Sequence, residues 1–190
     1  MRPGPTLASV VLLAAALVSP ALADPVPFED FAEPGAAARW DYVADGVMGG
    51  VSKGRAEMRS GEGGHVRLTG EVSTANDGGF VQVRRRLDAP WPGDVSALVV
   101  EARGNGERYY VFLRPRDAAR VFHSFRASFV AGAEWESHRL PIAGFRPSHA
   151  GMAPGIAPGD VAGIGLVAYG RDHVADLSVR RIALERGGGP

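Results

Sequence analysis

Residues 45–54 read DGVMGGVSKG, and within them Gly50-Val51-Ser52-Lys53-Gly54 has the Gly-x-Ser-x-Gly spacing of a serine hydrolase's nucleophile elbow. An elbow works because a buried strand and a following helix hold the hydroxyl on a strained, accessible turn. Gly46, Gly49 and Gly50 make the preceding stretch too glycine-rich for a central strand, and Ser60-Gly61 arrives before a helix can form. The segment therefore reads as a glycine-rich turn that brings two strands close, with no catalytic residue. A Ser52 hydrolase is the minor alternative. Phosphate-loop chemistry fails on order, because Lys53 follows Ser52 where Gly-Lys-Ser/Thr is needed.

Metal and ligand chemistry are weighed in the same way. His65, His123, His138, His149 and His173 show neither H-x-x-H nor H-E-x-x-H spacing, so no transition-metal site is expected. Asp45, Asn76, Asp77, Asn105, Asp172 and Asp176 are hard oxygen donors compatible with a structural calcium ion, although turn chemistry accounts for the same residues. No other cofactor is implied. Arg84-Arg85-Arg86 is the one basic cluster, and alternation places Arg84 and Arg86 on one face and Arg85 on the other. That pattern suits a solvated strand end better than a nucleic-acid stripe. Trp40, Trp91, Trp135, Tyr109 and Tyr110 have rings that can stack on a sugar, but at strand positions such rings usually pack against a sheet.

The elements that must position these residues are strands. The chain has 26 Gly and 14 Pro, which interrupt it every few residues and leave little room for a three-turn helix. What survives is short and alternating. Residues 65–73, 80–87, 97–104, 108–115, 122–130, 135–142, 161–170 and 175–185 read as strands, with shorter pieces at 28–31 and 56–58. In 175–185 the apolar set slips phase between Leu177/Val179 and Ile182/Leu184, which predicts a β-bulge at Arg180-Arg181. About ten strands at this spacing predict an all-β, antiparallel sandwich. Residues 147–160 read as a mobile loop.

The N-terminus carries Arg2, an apolar run from Leu7 to Val18, and Ala21-Leu22-Ala23, the pattern of a signal peptide cleaved after Ala23. Twelve helical residues would span only ~18 Å, too short to cross a bilayer. A periplasmic or secreted chain is expected, with one domain over residues 24–186 and a disordered tail over 187–190. The whole chain has 21 basic and 21 acidic residues, so removing Arg2 leaves 20 against 21. Such balance exerts no long-range pull on nucleic acid or anionic lipid. With no cysteine, the fold depends on burial and hydrogen bonding alone.

Five segments taken in order, DGVMGGVSKG, LTGEVSTANDGGFVQVRR, LVVEARGNGERYYVFLR, WESHRLPIAGFRP and VAGIGLVAYG, resemble the complex I intermediate-associated protein 30 domain. The resemblance runs from about Trp40 to Leu184. It implies a galactose-binding-like, jelly-roll sandwich and a non-enzymatic assembly role exerted on a protein partner. The family's Gly-Gly-x-Ser turn falls on Gly49, Gly50 and Ser52. Its second turn falls on residues 103–108, with Asn105 where an acid is usual and Glu107 inserted before the arginine. Asp45, Gly49, Gly50, Ser52, Arg103, Asn105, Arg108 and Tyr109 are the candidate binding residues. Recognition of a protein is the leading expectation, and carbohydrate binding on the same sandwich is the alternative.

Overall fold

The computed structural model describes residues 24–187; the expected signal peptide and residues 188–190 lie outside the described residues. Two antiparallel six-stranded sheets face each other. The first contains β1 (Val26–Asp30), β3 (Lys53–Arg59), β4 (His65–Val72), β6 (Val95–Gly104), β9 (Glu136–Pro141) and β12 (His173–Arg186). Its order is β3-β4-β12-β6-β9, with β1 also pairing with β12. The second contains β2 (Asp41–Ala44), β5 (Phe80–Arg86), β7 (Arg108–Pro115), β8 (Phe125–Val130), β10 (Arg146–Pro147) and β11 (Val161–Tyr169), in the order β10-β8-β7-β11-β5-β2. Helical structure among the described residues is confined to 3-10 turns of three or four residues.

Alternation builds the core. Val66, Leu68, Val81, Val83, Leu98, Val100, Val111, Leu113, Ile164, Leu166, Leu177 and Ile182 point between the sheets and are buried. Each such aliphatic side chain contributes about 1.5–3 kcal/mol. The bulge expected in the last strand is present. Val179 pairs with Ala102 and Arg181 with Glu101, so Arg180 is skipped and the apolar phase is restored. The Arg180 carbonyl accepts the Phe31 N–H instead. Glu29 of β1 crosses the core edge to the other sheet. Its buried carboxylate accepts from Trp40 Nε1 at 2.8 Å, Arg39 Nη2 at 2.5 Å and Arg85 Nη1 at 2.6 Å.

Several expectations change. The glycine-rich stretch is no hairpin; it carries the chain from β2 in the second sheet to β3 in the first. The close approach is made by its last residue, Gly54, which faces Gly70 across β3 and β4. A Cβ on Gly54 would stand 2.3 Å from the Thr69 carbonyl oxygen, which is why the strand tolerates glycine there. β8 begins at Phe125 rather than Phe122. Residues 147–160 are irregular but anchored, with Ile156 buried and Met152 packed against the core. No helix among the described residues is long and apolar enough to cross a membrane.

Candidate functional site

The connections β2–β3, β4–β5, β6–β7, β8–β9 and β11–β12 gather at one end of the sandwich, and all eight candidate residues lie at or beside it. They form two clusters rather than one pocket. In the first, Asp45 is fully buried and its carboxylate is saturated. Oδ1 accepts the Ser52 N–H at 2.9 Å; Oδ2 accepts the Ser52 hydroxyl at 2.5 Å, the Gly79 N–H at 2.6 Å and the Phe80 N–H at 3.2 Å. Burial alone would raise the Asp45 pKa, but the Gly79, Ser52 and Phe80 donors outweigh it and hold the group below the ordinary aspartate value. Gly50 and Gly78 are glycine because a Cβ on either would fall 2.3 or 2.5 Å from this carboxyl group. Gly49 ends the preceding 3-10 turn at φ 91°.

Ser52 is buried too, and its oxygen accepts the Ser73 N–H at 2.9 Å. Its hydroxyl partners are a carboxylate and the Ser73 backbone, with no imidazole among them. This serine fastens the turn to the β4–β5 connection. Asp45 and Ser52, expected as surface binding residues, are withdrawn from solvent by that task.

The second cluster surrounds the β6–β7 turn. Tyr109 is fully buried; its hydroxyl donates to Asn105 Oδ1 at 2.6 Å and accepts the Asp176 N–H at 2.9 Å. Burial, the largest influence on the phenol, pushes its pKa up to about 12. Asn105 Nδ2 donates to the Val174 carbonyl at 2.8 Å, tying the turn to β12. Arg103 and Arg108 are exposed. The Arg103 guanidinium lies 4.9 Å from the Trp135 ring centroid, and Arg180 lies at the same distance. Trp135 is thus flanked by two guanidiniums, while Trp40 and Trp91 are buried in the core, the sheet packing that the sequence reading favours over sugar stacking. The oxygen donors considered for calcium are dispersed: Asp172 caps Thr74, and Asp176 pairs with Arg67. No group of three or more His, Asp or Glu placed to hold a metal ion occurs among the described residues.

Concavities lie on both outer faces: one of about 310 Å³ beside Arg103, lined also by Arg59, Arg67 and Asp176, and another on the second sheet. A cleft of about 530 Å³ opens there, within the usual range of ligand pockets. Its floor follows from the register. Arg84, Gly165, Phe112 and Arg126 stand side by side on β5, β11, β7 and β8; Gln82, Val167 and Tyr110 form the next row. Gly163 and Gly165 leave the middle of β11 without side chains, so its neighbours lean inward. A Cβ on Gly165 would stand 3.1 Å from Gln82 Oε1. Gln82 is 3% exposed and that oxygen has no hydrogen-bond partner. The Phe112 and Tyr169 rings meet edge to face at 5.4 Å, and the Arg126 guanidinium sits 4.4 and 4.6 Å from their centroids. Exposed Val47 and Met48 of the glycine-rich turn form one rim; Val121 and Phe122 form the other.

Sequence reading missed Gln82, Phe112, Arg114, Arg126 and Tyr169. The signal was present in part: Tyr110, Phe112 and Arg114 alternate against inward Tyr109, Val111 and Leu113, and Gly163 and Gly165 share β11's outer face. Arg84 was assigned to a solvated strand end. It lines the cleft, whereas Arg85 points inward to Glu29.

Comparison with known proteins accords with this architecture. The fold is similar to a family 11 carbohydrate-binding module of the cellulosomal cellulase Lic26A-Cel5E of Clostridium thermocellum (TM-score 0.69, 13% identity, 86% of this chain and 95% of that one). The family 11 module of Clostridium thermocellum in complex with a β-1,3-1,4-mixed-linked tetrasaccharide is similar to the same degree (TM-score 0.68, 14% identity, 85% and 95%). The agarase AgWH50C contains a comparable region (TM-score 0.60, 11% identity, 86% of this chain and 26% of that one). At these identities the likeness is one of fold. Curated protein sequences give no match. The sequence model of Complex I intermediate-associated protein 30 (CIA30) matches residues 29–179, from the buried Glu29 to the bulge in β12, and the chain belongs to that family.

Proposed function

We propose that this chain is a non-catalytic binding module that holds an oligosaccharide along the cleft of its second sheet. The observation that carries the reading is the Gln82 amide oxygen, buried and unpaired on a glycine-floored, aromatic-walled concavity. A buried acceptor without a donor costs about 1–3 kcal/mol, which a ligand hydroxyl would recover. The Phe112 and Tyr169 rings, which line the cleft, offer apolar contact to sugar C–H groups. A similar fold in a module solved with a bound tetrasaccharide supports the choice of ligand class. Export, expected from residues 1–23, belongs to this proposal because it would bring the cleft to extracytoplasmic glycans.

The test is affinity electrophoresis of the full chain through gels containing soluble polysaccharides, neutral and acidic. Retardation by at least one polysaccharide, reduced tenfold or more in affinity by Tyr169→Ala, is expected. Uniform mobility in every gel, or retardation indifferent to Tyr169→Ala, would remove the reading.

A second reading, recognition of a protein partner, rests on Val47, Met48 and Val51, which expose apolar surface on the glycine-rich turn. An assembly role of the kind the family description names would use this rim. Val47→Asp should then abolish capture of a defined partner from envelope extracts while leaving polysaccharide retardation intact.

A further inference from the structure

We infer that the cleft is built for an acidic oligosaccharide, one whose sugars carry carboxylate or sulfate groups, with Arg84, Arg114 and Arg126 receiving the anions and Gln82 a hydroxyl. The inference rests on the oligosaccharide reading above and specifies its chemistry. Nine arginines elsewhere in the described chain, among them Arg67, Arg139 and Arg180, have a carboxylate within 4.0 Å. None of the three cleft arginines has one. They are also crowded: Arg114 lies near enough to Arg84, Arg86 and Arg126 to feel their charge, beyond the effect of its own burial.

Like charges gathered in a concavity repel one another, and low-dielectric walls strengthen that repulsion. A bound anion relieves it. Two of the guanidiniums are also held in place. Arg126 stacks over Phe112 and Tyr169 and donates from Nε to Ser124 Oγ at 3.1 Å, while Arg114 donates to the Val121 carbonyl. A planar guanidinium fixed by stacking presents its remaining N–H groups as a fork suited to carboxylate or sulfate. Asp77 stands at the rim, Asp41 lies opposite Arg84 on β2 and the saturated Asp45 lies behind Gly78; none approaches a guanidinium within 4.0 Å. The spacing along one row, from Arg84 through Gly165 and Phe112 to Arg126, runs across four strands, or about 14 Å. That length suits a short chain of sugars rather than a single small anion.

Calorimetric titration of the full chain with three probes tests this: a uronic-acid tetramer, a neutral glucose tetramer of equal length, and inorganic sulfate. The acidic tetramer should bind at least tenfold more tightly than the neutral one, weaken several-fold between 50 and 300 mM salt, and lose tenfold or more in Arg114→Gln and in Arg126→Gln. Arg59→Gln, on the other sheet, serves as the control and should change nothing. Thermal melting checks each variant, and Arg84→Gln replaces any that fails to fold. Equal binding of the two tetramers, lost in Tyr169→Ala but not in the arginine variants, would overturn the acidic specificity and leave the oligosaccharide reading standing. Sulfate competing at the same concentration as the tetramer would make this a free-anion site and overturn the inference. Binding of neither tetramer would overturn both.

Discussion

The two outer faces of the sandwich use arginine to opposite ends. On the first sheet, Arg67 meets Asp176, Arg139 meets Glu185 and Arg180 meets Glu101, strand against strand, and Arg55 meets Glu57 within β3. On the second, Arg84, Arg114 and Arg126 share a cleft without a carboxylate among them. The chain as a whole is formally neutral, so its balance describes neither face. The first face pairs most of its arginines internally, leaving Arg59 and Arg103 at a smaller cleft. The other leaves a glutamine oxygen without a donor and three guanidiniums without a carboxylate within 4.0 Å, and that incompleteness is what a ligand can complete.

The sharpest test of the contrast lies where saturation is greatest. Asp45→Ala would strand the Ser52, Gly79 and Phe80 N–H groups in a buried site, and unfolding in urea should show a loss of about 3–5 kcal/mol. A loss near zero would mean that the turn holds without its carboxylate. In the cleft the sign should reverse. Arg114→Met keeps the stem's packing and removes mutual repulsion, so stability should rise by about 0.5–1 kcal/mol while acidic oligosaccharide binding falls. A destabilised Arg114→Met protein would place that arginine with the structural ones.

The smallest effect belongs to the paired face. Glu101→Gln should cost about 0.2–1 kcal/mol and leave ligand binding unchanged. The hydrogen bond from Arg180 holds Glu101 below the ordinary glutamate pKa, and the one from Arg67 does the same for Asp176. In each case the unfolded chain binds the proton more readily. Their stabilisation is therefore complete above the ordinary values of 4.5 and 3.8 and disappears as pH falls through the lower native ones. Burial keeps the His138 pKa below its usual 6.5, which adds a shallower decline beginning below that pH. Melting midpoints between pH 7 and 3 should trace both steps, with the acid step reduced in Glu101→Gln.

Much of the fold was legible because a period of two fixes a strand and its inward face. Residues 108–115 match β7 from end to end, and the phase slip in the last strand located the bulge. β2 and β10, with four and two residues, are too short for alternation to register. Gly54 hid the start of β3, since nothing local shows that a second glycine waits opposite. The site was legible only at its margins. The Gly-Gly-x-Ser turn was found, but Asp45 and Ser52 hold it in place, and its contribution to the cleft comes from Val47 and Met48. The floor is an order of strands, β5-β11-β7-β8, that sets Arg84 beside Phe112 although 28 positions separate them. Spacing along a chain carries no information about neighbours across a sheet.

The skipped residue in β12 also limits how this chain can change length. Before Arg180 the strand is zipped to β4 along one edge; after it, the same edge is taken over by β1. Deleting Arg180 itself would leave Ile182 and Leu184 inward, because Arg181 already pairs next after Val179, whereas deleting a paired residue on either side would turn one apolar half of the strand toward water. Arg180 is therefore the one position within this strand whose loss keeps both apolar halves in phase.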